Sequence, residues 1–277
     1  MMLAQPSESS HEPRKIPPIA AVAFDLDGLL VNTEELYQEV GTELLLRRGC
    51  VFGPDLLHAM MGRPQAVSLQ TMIDWHSLTD TVETLAAETH TIFSVLLETR
   101  LRPMPGAVAL LDAMDASGIP RGVATSSGPE FAMDVLSRVG LRDRFAFILT
   151  SADVVHGKPH PEIYQKAANR LAVAPGAMLV LEDSQAGCQA AVAAGAVVIA
   201  IPGGLSRSHD FTGVSYIAES LADPHIYSSL FQSGSIAILP QPSPAIGHST
   251  HDSLEANATR FTQAKRQRTI KWRLVSV

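Results

Sequence analysis

The sequence has little of what secreted, membrane-bound and nucleic-acid-binding proteins need. Its two cysteines lie in unrelated segments, too few for a disulfide framework, so a reducing compartment is expected. No stretch approaches the ~20 apolar residues of a spanning helix, and residues 1–18 lack the apolar segment of a signal peptide. The net charge of −7 argues against bulk nucleic-acid binding. We therefore expect a soluble, cytoplasmic monomer that acts on a small molecule, without a membrane or nucleic-acid partner.

The segment richest in chemistry is AAVAFDLDGLLVNTE, residues 20–34. A short apolar run followed by a turn signal predicts a buried parallel strand that opens into a loop. Residues two apart on an extended chain face the same way, so Asp25 and Asp27 would present both carboxylates to one spot. Like charges there are costly unless a cation lies between them or one is protonated. The pair indicates a metal site or an acid/base pair; the alternative is a plain turn at Asp27-Gly28 with Asp25 as a helix cap.

Three further segments place polar side chains after short strands or in a loop. PRGVATSSG reads as a strand that ends in hydroxyls, among them Thr125 and Ser126. HGKPHPEIY carries Lys158 in a loop that two prolines stiffen just before a helix. AMLVLEDSQAG reads as another strand, and it ends in Glu182 and Asp183. The chain thus offers an acid pair, hydroxyls, a lysine and a second acid pair, in that order.

Phosphoryl transfer requires this set of groups. It needs a nucleophilic carboxylate, a second carboxylate for proton transfer, hydroxyl and cationic donors for the phosphate oxygens, and acidic ligands for Mg²⁺. Each residue has a simpler interpretation, since Thr125 could end a strand, Lys158 could be a solvated loop charge and Asp183 could cap a helix. We favour the functional interpretation, because all of these would have to coincide in this order.

With these motifs, residues 19–232 resemble the haloacid dehalogenase-like hydrolase superfamily. The stretches DLDGLLVNTEELY, VATSSG, HGKPHPEIY and LEDSQAGCQAAVAAG look most like its subgroup for small phosphorylated sugars and related metabolites. That subgroup includes 2-deoxyglucose-6-phosphatases, glycerol-3-phosphatases, pseudouridine-5′-phosphatases and β-phosphoglucomutases. The resemblance implies a Mg²⁺-dependent phosphatase that hydrolyses a small phosphorylated metabolite, such as a sugar phosphate, through an aspartyl-phosphate.

The resemblance also implies a role for each residue. Asp25 falls on the nucleophile and Asp27 on the general acid/base. Thr125 and Ser126 fall on the phosphate-binding hydroxyl segment, and Lys158 on the lysine that neutralises the phosphate. The expected Mg²⁺ ligands are Asp25, the backbone carbonyl of Asp27, Asp183, and Glu182 in or just behind the first shell of ligands.

The expected fold is α/β, a Rossmann-like parallel sheet core with an inserted helical cap. Apolar strands that alternate with helical patterns predict a parallel sheet, whose ligands bind at the carboxyl ends of the strands. The predicted strands are 20–25, 120–125, 145–150, 177–182 and 196–201. The predicted helices of the core are 106–117, 129–139, 161–172 and 185–194.

The alternation breaks between the first strand and Pro103. The segments 34–48, 54–61, 65–75 and 80–100 read as helices, which resemble a mobile cap that closes over substrate and excludes water. The alternative is that they add core to a single domain. Arg63 falls in the substrate-facing cap loop of the subgroup, although a solvated turn arginine explains it equally well. The expected domains are a disordered tail (1–18), the core (19–33 plus 104–232), the cap (34–103) and a disordered tail (233–277).

Two features of the insert bear on the reaction. It has no lysine between positions 34 and 103, so it cannot form the Schiff base of a phosphonoacetaldehyde hydrolase. β-Phosphoglucomutases use a histidine shortly after the Asp-x-Asp motif, whereas this chain has Tyr37 near that position. This difference argues against a mutase. A phosphosugar mutase and a non-catalytic phospho-metabolite-binding protein remain the alternatives to a phosphatase.

Overall fold

The computed structural model describes residues 18–60, 63–204 and 206–231. Its strands are β1 (Ala21–Phe24), β2 (Arg121–Ala124), β3 (Ile148–Leu149), β4 (Met178–Glu182), β5 (Val197–Ala200) and β6 (Tyr216–Ile217). They form one sheet in the order β3-β2-β1-β4-β5-β6, and every neighbouring pair is parallel. The predicted α/β class with a Rossmann-like parallel sheet is therefore confirmed.

The α-helices of the described ranges fall into two groups. Between β1 and β2 lie α1 (Thr33–Leu46), α2 (Pro54–Met60), α3 (Gln65–His76), α4 (Val82–Thr99) and α5 (Ala107–Ser117). After β2 come α6 (Pro129–Arg138), α7 (Glu162–Leu171), α8 (Gln185–Ala193) and α9 (Pro224–Leu230). Helices α5 to α8 thus separate successive strands, as in other doubly wound sheets.

The central strands are apolar because helices cover both faces of the sheet. All residues of β1 and β4 are buried, which is typical of parallel strands. Alternate side chains of β1 enter different cores. Val22 and Phe24 pack in a cluster with side chains of α5 and α6, whereas Ala21 and Ala23 pack in a cluster with α7 and α8. Polar side chains therefore find room mainly in the loops at the strand ends.

Helices α1 to α4 share an apolar core of their own, which includes Leu36, Leu56, Met72 and Leu85. Two neighbouring chain crossings join them to the sheet. At these crossings the Asn32 N–H donates to the Arg102 carbonyl at 3.2 Å, and the Asn32 Oδ1 accepts from the Arg102 N–H at 2.9 Å. The helical insert thus enters and leaves the sheet at one place.

The sequence did not predict β6 or α9. β6 has only two residues, both exposed, so it lacks the apolar run that marks a buried strand. α9 begins after Asp223, whose side chain accepts from the His225 N–H, with Pro224 in its first turn. Asp-Pro is a helix start signal that the sequence does contain. The predicted strand 145–150 is shorter, at Ile148–Leu149.

Two further sequence predictions concern the tails of the chain and its lack of a membrane-spanning helix. The tails assigned to residues 1–18 and 233–277 lie, apart from position 18, outside the described residues. Within the part of the chain that the structure describes, no helix combines the length and apolar character needed to cross a membrane.

Candidate active site

The candidate site lies between β1 and β4, where the strand order reverses. Asp25 directly follows β1, and its N–H donates to the carbonyl of Leu181 on β4 at 3.0 Å. Asp183 directly follows β4, so the parallel pairing of these strands brings both aspartates to the same edge of the sheet. In doubly wound sheets this reversal opens a crevice in which ligands bind.

Lys158 reaches this edge from the loop that precedes α7. Its Nζ donates to Asp25 Oδ1 at 2.5 Å, to Glu182 Oε1 at 2.6 Å and to the carbonyl of Ala124 at 2.9 Å. The side chain is only 5% exposed. All three donors of the ammonium are therefore engaged, and the interpretation of Lys158 as a solvated loop charge is wrong.

Glu182 is a fixed, buried carboxylate that contacts Lys158 in this cluster. Its carboxylate is fully buried, and Oε1 accepts from Lys158 and from the Tyr164 hydroxyl, the latter at 2.7 Å. Oε2 accepts from the Ser184 hydroxyl at 3.0 Å and from the Ser184 N–H at 3.1 Å. A Cβ at Gly187 would overlap this carboxylate, so only glycine leaves it room at the start of α8. Both oxygens are thus occupied by donors, which hold Glu182 in place.

Asp183, by contrast, has a buried oxygen without a partner. The residue is 2% exposed, and its Oδ2 accepts no hydrogen bond from the described residues. A Cβ at Gly28, where φ is +75°, would lie 2.5 Å from this oxygen, so glycine keeps the adjacent space open. One carboxylate oxygen from each of Asp25, Glu182 and Asp183 lies within 4.8 Å of the others. An unpaired buried carboxylate oxygen among further carboxylates fits a hard divalent cation.

The pKa shifts of the cluster also indicate a site for a cation. Burial raises the pKa of Asp25 to about 8, against the opposing effect of Lys158 and with a further rise from Glu182 and Asp27. Burial and the charge of Asp25 also hold the pKa of Asp183 well above its usual range. Burial would lower the pKa of Lys158, but Asp25 and Glu182 outweigh it and the pKa is raised. The cluster has more negative than positive charge, so a bound cation would stabilise its ionised form.

Hydroxyl groups hold Asp27. Its Oδ1 accepts from Thr33 at 2.6 Å, and its Oδ2 accepts from Ser127 at 2.6 Å and from Thr125 at 3.3 Å. Thr125 is buried, and its Oγ1 also accepts from the Ser127 N–H at 3.0 Å, while Ser126 is half-buried. The acid pair and the hydroxyl segment therefore meet, and Thr33 ties Asp27 to the first residue of α1.

Sequence analysis missed several side chains of this site. Glu34 is the clearest case, because burial and then the charge of Asp27 raise its pKa to about 7. Thr33 and Tyr164 hydrogen-bond to Asp27 and Glu182, respectively, yet neither stands out in the sequence. A threonine on the first turn of a helix usually caps that helix, and a tyrosine inside an apolar helix usually packs in the core.

Two residues singled out in the helical insert have different surroundings. Arg63 is exposed just before α3, and among the described residues its hydrogen bonds involve its backbone alone. Tyr37 stacks on Phe93 with ring centroids 4.2 Å apart, and Phe93 stacks on Phe131 of α6 at 6.0 Å. Burial and then the charge of Asp27 raise the pKa of the Tyr37 hydroxyl. Tyr37 therefore belongs to an aromatic stack that joins the helical insert to α6, whereas Arg63 has no contact with the carboxylate cluster among the described interactions.

The sequence matches the family model described as haloacid dehalogenase-like hydrolase over residues 22–201. A phosphorylated carbohydrates phosphatase from Thermotoga maritima is 32% identical over 175 residues, which cover 63% of this chain and 81% of that protein. A bifunctional riboflavin kinase/FMN phosphatase from Arabidopsis thaliana is 29% identical over 205 residues. The match covers 74% of this chain but only 54% of that longer protein.

A solved structure of a HAD family hydrolase from Deinococcus radiodurans R1, with bound phosphate and sodium, is similar in fold. The TM-score is 0.63 at 27% identity, and the match covers 76% of this chain and 95% of the other. The family match spans the four segments that converge at the carboxyl edge of the sheet, which end in or contain Asp25, Thr125, Lys158 and Asp183.

Proposed function

The chain belongs to the haloacid dehalogenase-like hydrolase family, and we propose that it is a phosphoric monoester hydrolase that uses Mg²⁺ and an aspartyl-phosphate intermediate. Its substrate is a small phosphorylated metabolite of the sugar-phosphate class. The observation that carries this proposal is the contact of buried Lys158 with Asp25, beside the unpartnered oxygen of Asp183. A buried carboxylate, a buried ammonium and carboxylate oxygens within 4.8 Å of one another suit attack on a phosphate dianion.

In the first step Asp25 attacks phosphorus. A bond forms between a carboxylate oxygen of Asp25 and phosphorus, and the bond from phosphorus to the alcohol oxygen breaks in line. Lys158, already held by Asp25 and Glu182, neutralises an equatorial phosphate oxygen. The backbone N–H groups beside Thr125 and the hydroxyl of half-buried Ser126 supply further donors.

Asp27 handles the proton. It gives a proton to the departing alkoxide and then removes one from the water that attacks phosphorus, which frees Asp25 and releases inorganic phosphate. Asp27 follows the nucleophile by two residues in the chain. The hydrogen bonds that its carboxylate accepts from Thr33, Thr125 and Ser127 hold it in place. Because Thr33 begins α1, movement of the helical insert would act directly on the position of Asp27.

We assign the cation to Asp25, Asp183 and the backbone carbonyl of Asp27, with Glu182 behind them. Glu182 already accepts hydrogen bonds on both oxygens, whereas Asp183 Oδ2 accepts none from the described residues. Bound Mg²⁺ would supply charge neutralisation for the phosphate and the acidic cluster. Oxygen ligands alone favour Mg²⁺ over softer metals.

The helices α1 to α4 (residues 33–99) act in this proposal as a cap over the carboxyl edge of the sheet. Their own apolar core and the paired crossings at Asn32 and Arg102 allow them to move as a unit. Closure would exclude water other than the attacking molecule and bring Tyr37 against the substrate. Arg63 lies on the exposed turn before α3, and its proposed role is limited to a contact with the substrate.

The substrate class rests on the named relatives. One is a phosphorylated carbohydrates phosphatase and another contains an FMN phosphatase, so both act on small phosphorylated compounds. A screen of phosphorylated metabolites for phosphate release, with Mg²⁺ and with EDTA, tests the proposal. Release from one or a few sugar phosphates, lost in EDTA, is expected. An isomerised sugar phosphate with little free phosphate would favour a mutase, and no turnover even of p-nitrophenyl phosphate would favour a binding protein.

A further inference from the structure

A second cluster of metal-ligating side chains lies on the outer side of the loop that carries Lys158. His156 and His160 flank this lysine two residues away on either side, and Glu162 is the first residue of α7. Lys158 points inward with 5% exposure, whereas the His156 side chain is 64% exposed. The short loop thus presents a lysine to one side and two imidazoles to the other.

The geometry of this cluster suits a small metal ion. The His156 Nδ1 lies 3.4 Å from Glu162 Oε2, and one ligand atom from each of the three residues lies within 4.8 Å of the others. Two ligands of a tetrahedral ion with bonds of about 2.1 Å lie about 3.4 Å apart. The imidazole rings are 4.6 Å apart at an interplanar angle of 37°. Small rotations of the exposed rings would complete the site.

Glu162 is prepared for this role by its surroundings. Its Oε1 accepts from Lys166 at 2.6 Å and from the Val155 N–H at 3.1 Å. Its Oε2 faces the His156 ring and accepts from the His156 N–H at 3.0 Å and from the Val155 N–H at 3.2 Å. The carboxylate is therefore fixed, with one oxygen directed at the histidines. The neighbouring Glu162 N–H donates to His160 Nδ1 at 3.3 Å, and among the described residues this long, easily replaced hydrogen bond is the only one that Nδ1 makes. Partners that orient a ligand in advance strengthen metal binding.

We propose that His156, His160 and Glu162 form a second metal site, which takes a transition-metal ion such as Zn²⁺ and ties the Lys158 loop to the start of α7. Two imidazoles and one carboxylate favour Zn²⁺ over Mg²⁺, whose preferred ligands are all oxygens. The fourth position would be filled by water, as in other exposed sites with three protein ligands. This site is separate from the acidic cluster at Asp25, which faces the opposite side of the loop, and does not depend on the proposed phosphatase activity.

The test is a Zn²⁺ titration of the tag-free full-length protein in excess Mg²⁺, which keeps the acidic cluster filled. The variants are His156→Ala/His160→Ala and Glu162→Gln. The matched control is His58→Ala/His90→Ala, which removes two exposed histidines of the helical insert. We expect the wild type and the control to bind one more Zn²⁺ than the double alanine variant, and Glu162→Gln to bind it more weakly.

Hydrogen exchange supplies a second readout on the same proteins. Zn²⁺ should slow exchange of the backbone N–H groups of residues 154–162, other than Pro159 and Pro161, in the wild type and the control, but not in the double alanine variant. Turnover with Mg²⁺ alone, or circular dichroism if there is no turnover, verifies that the variants are folded. Equal Zn²⁺ binding by the wild type and both cluster variants would overturn the proposal, as would binding without local protection. In that case the cluster would be a surface ion pair only.

Discussion

The ammonium of Lys158 lies 2.5 Å from the carboxylate of Asp25, although 133 positions separate the two residues in the chain. Both side chains are nearly buried, so the pair is shielded from solvent and its orientation is fixed by Glu182 and the carbonyl of Ala124. A buried ion pair costs desolvation and is seldom retained for stability alone. Its position at the carboxyl edge of the sheet is the one that the proposed catalytic role requires.

Lys158→Ala should reduce turnover by roughly 10²–10³-fold or more, because it removes the cation that neutralises the phosphate and leaves Asp25 without its partner. Lys158→Arg should recover little, since a planar guanidinium cannot converge on the same three acceptors. Lys166→Ala is the matched control, because that lysine is 42% exposed and should keep near-normal turnover. Full activity of the arginine variant would show that a cation of any shape suffices there.

Asp25→Asn should reduce phosphatase turnover by several orders of magnitude at almost constant volume, because an amide neither attacks phosphorus nor ligates Mg²⁺ well. The folded state should survive, and in EDTA its melting temperature should rise, since the substitution removes a carboxyl group whose ionised form is disfavoured chiefly by burial and then by Glu182 and Asp27. Steady-state kinetics and calorimetry measure both effects. Residual turnover near that of the wild type would contradict the assignment of the nucleophile.

Asp27→Asn should reduce turnover of sugar phosphates by roughly 10²–10⁴-fold. The loss with p-nitrophenyl phosphate should be much smaller, because the nitrophenolate leaves without protonation. Asp25→Asn serves as the control, since loss of the nucleophile affects both substrates alike. Equal losses for the two substrates in Asp27→Asn would contradict its role as general acid.

The Mg²⁺-free protein should lose stability as the pH rises toward 8. Burial raises the pKa of Asp25 to about 8 and that of Glu34 to about 7, whereas both titrate near about 4 in an unfolded chain. A group whose pKa is higher in the folded state adds stability at pH values below about 4. This stability is lost as the pH rises through the pKa of the folded state.

Melting temperatures in EDTA and in Mg²⁺ between pH 5.5 and 8.5 check this prediction. Mg²⁺ takes the place of the protons, so the difference between the two conditions should widen with pH. The widening should be smaller in Asp25→Asn, which has no carboxyl group to titrate at that position. A constant difference across the range would show that these acids do not titrate as the structure indicates.

Gly187→Ala should destabilise the protein by about 1–3 kcal/mol or more, because the added methyl group overlaps the buried carboxylate of Glu182. Turnover should fall as well, since Glu182 positions Lys158. Gly53→Ala is the control: a Cβ there meets nothing within 4 Å. Urea unfolding and kinetics on the two variants should separate them clearly, and similar behaviour of both would mean that Glu182 can move aside freely.

The sequence alone was sufficient to predict the buried strands of the parallel sheet and the polar residues at its carboxyl edge. Short apolar runs that end in polar residues reflect a local requirement, because a strand buried on both faces can carry polar side chains only where it ends. Asp25, Thr125 and Asp183 could therefore be located at strand ends without a structure. β6 could not, because a two-residue exposed edge strand has no such pattern.

Only the tertiary structure decided how these residues work together. The engagement of both Glu182 oxygens, the unpartnered oxygen of Asp183 and the hydrogen bond from Thr33 to Asp27 depend on contacts across the fold. The raised pKa of Glu34 likewise depends on burial beside distant charges. Hydrogen bonding and desolvation are set by the three-dimensional neighbours of a side chain, which periodicity along the chain does not encode.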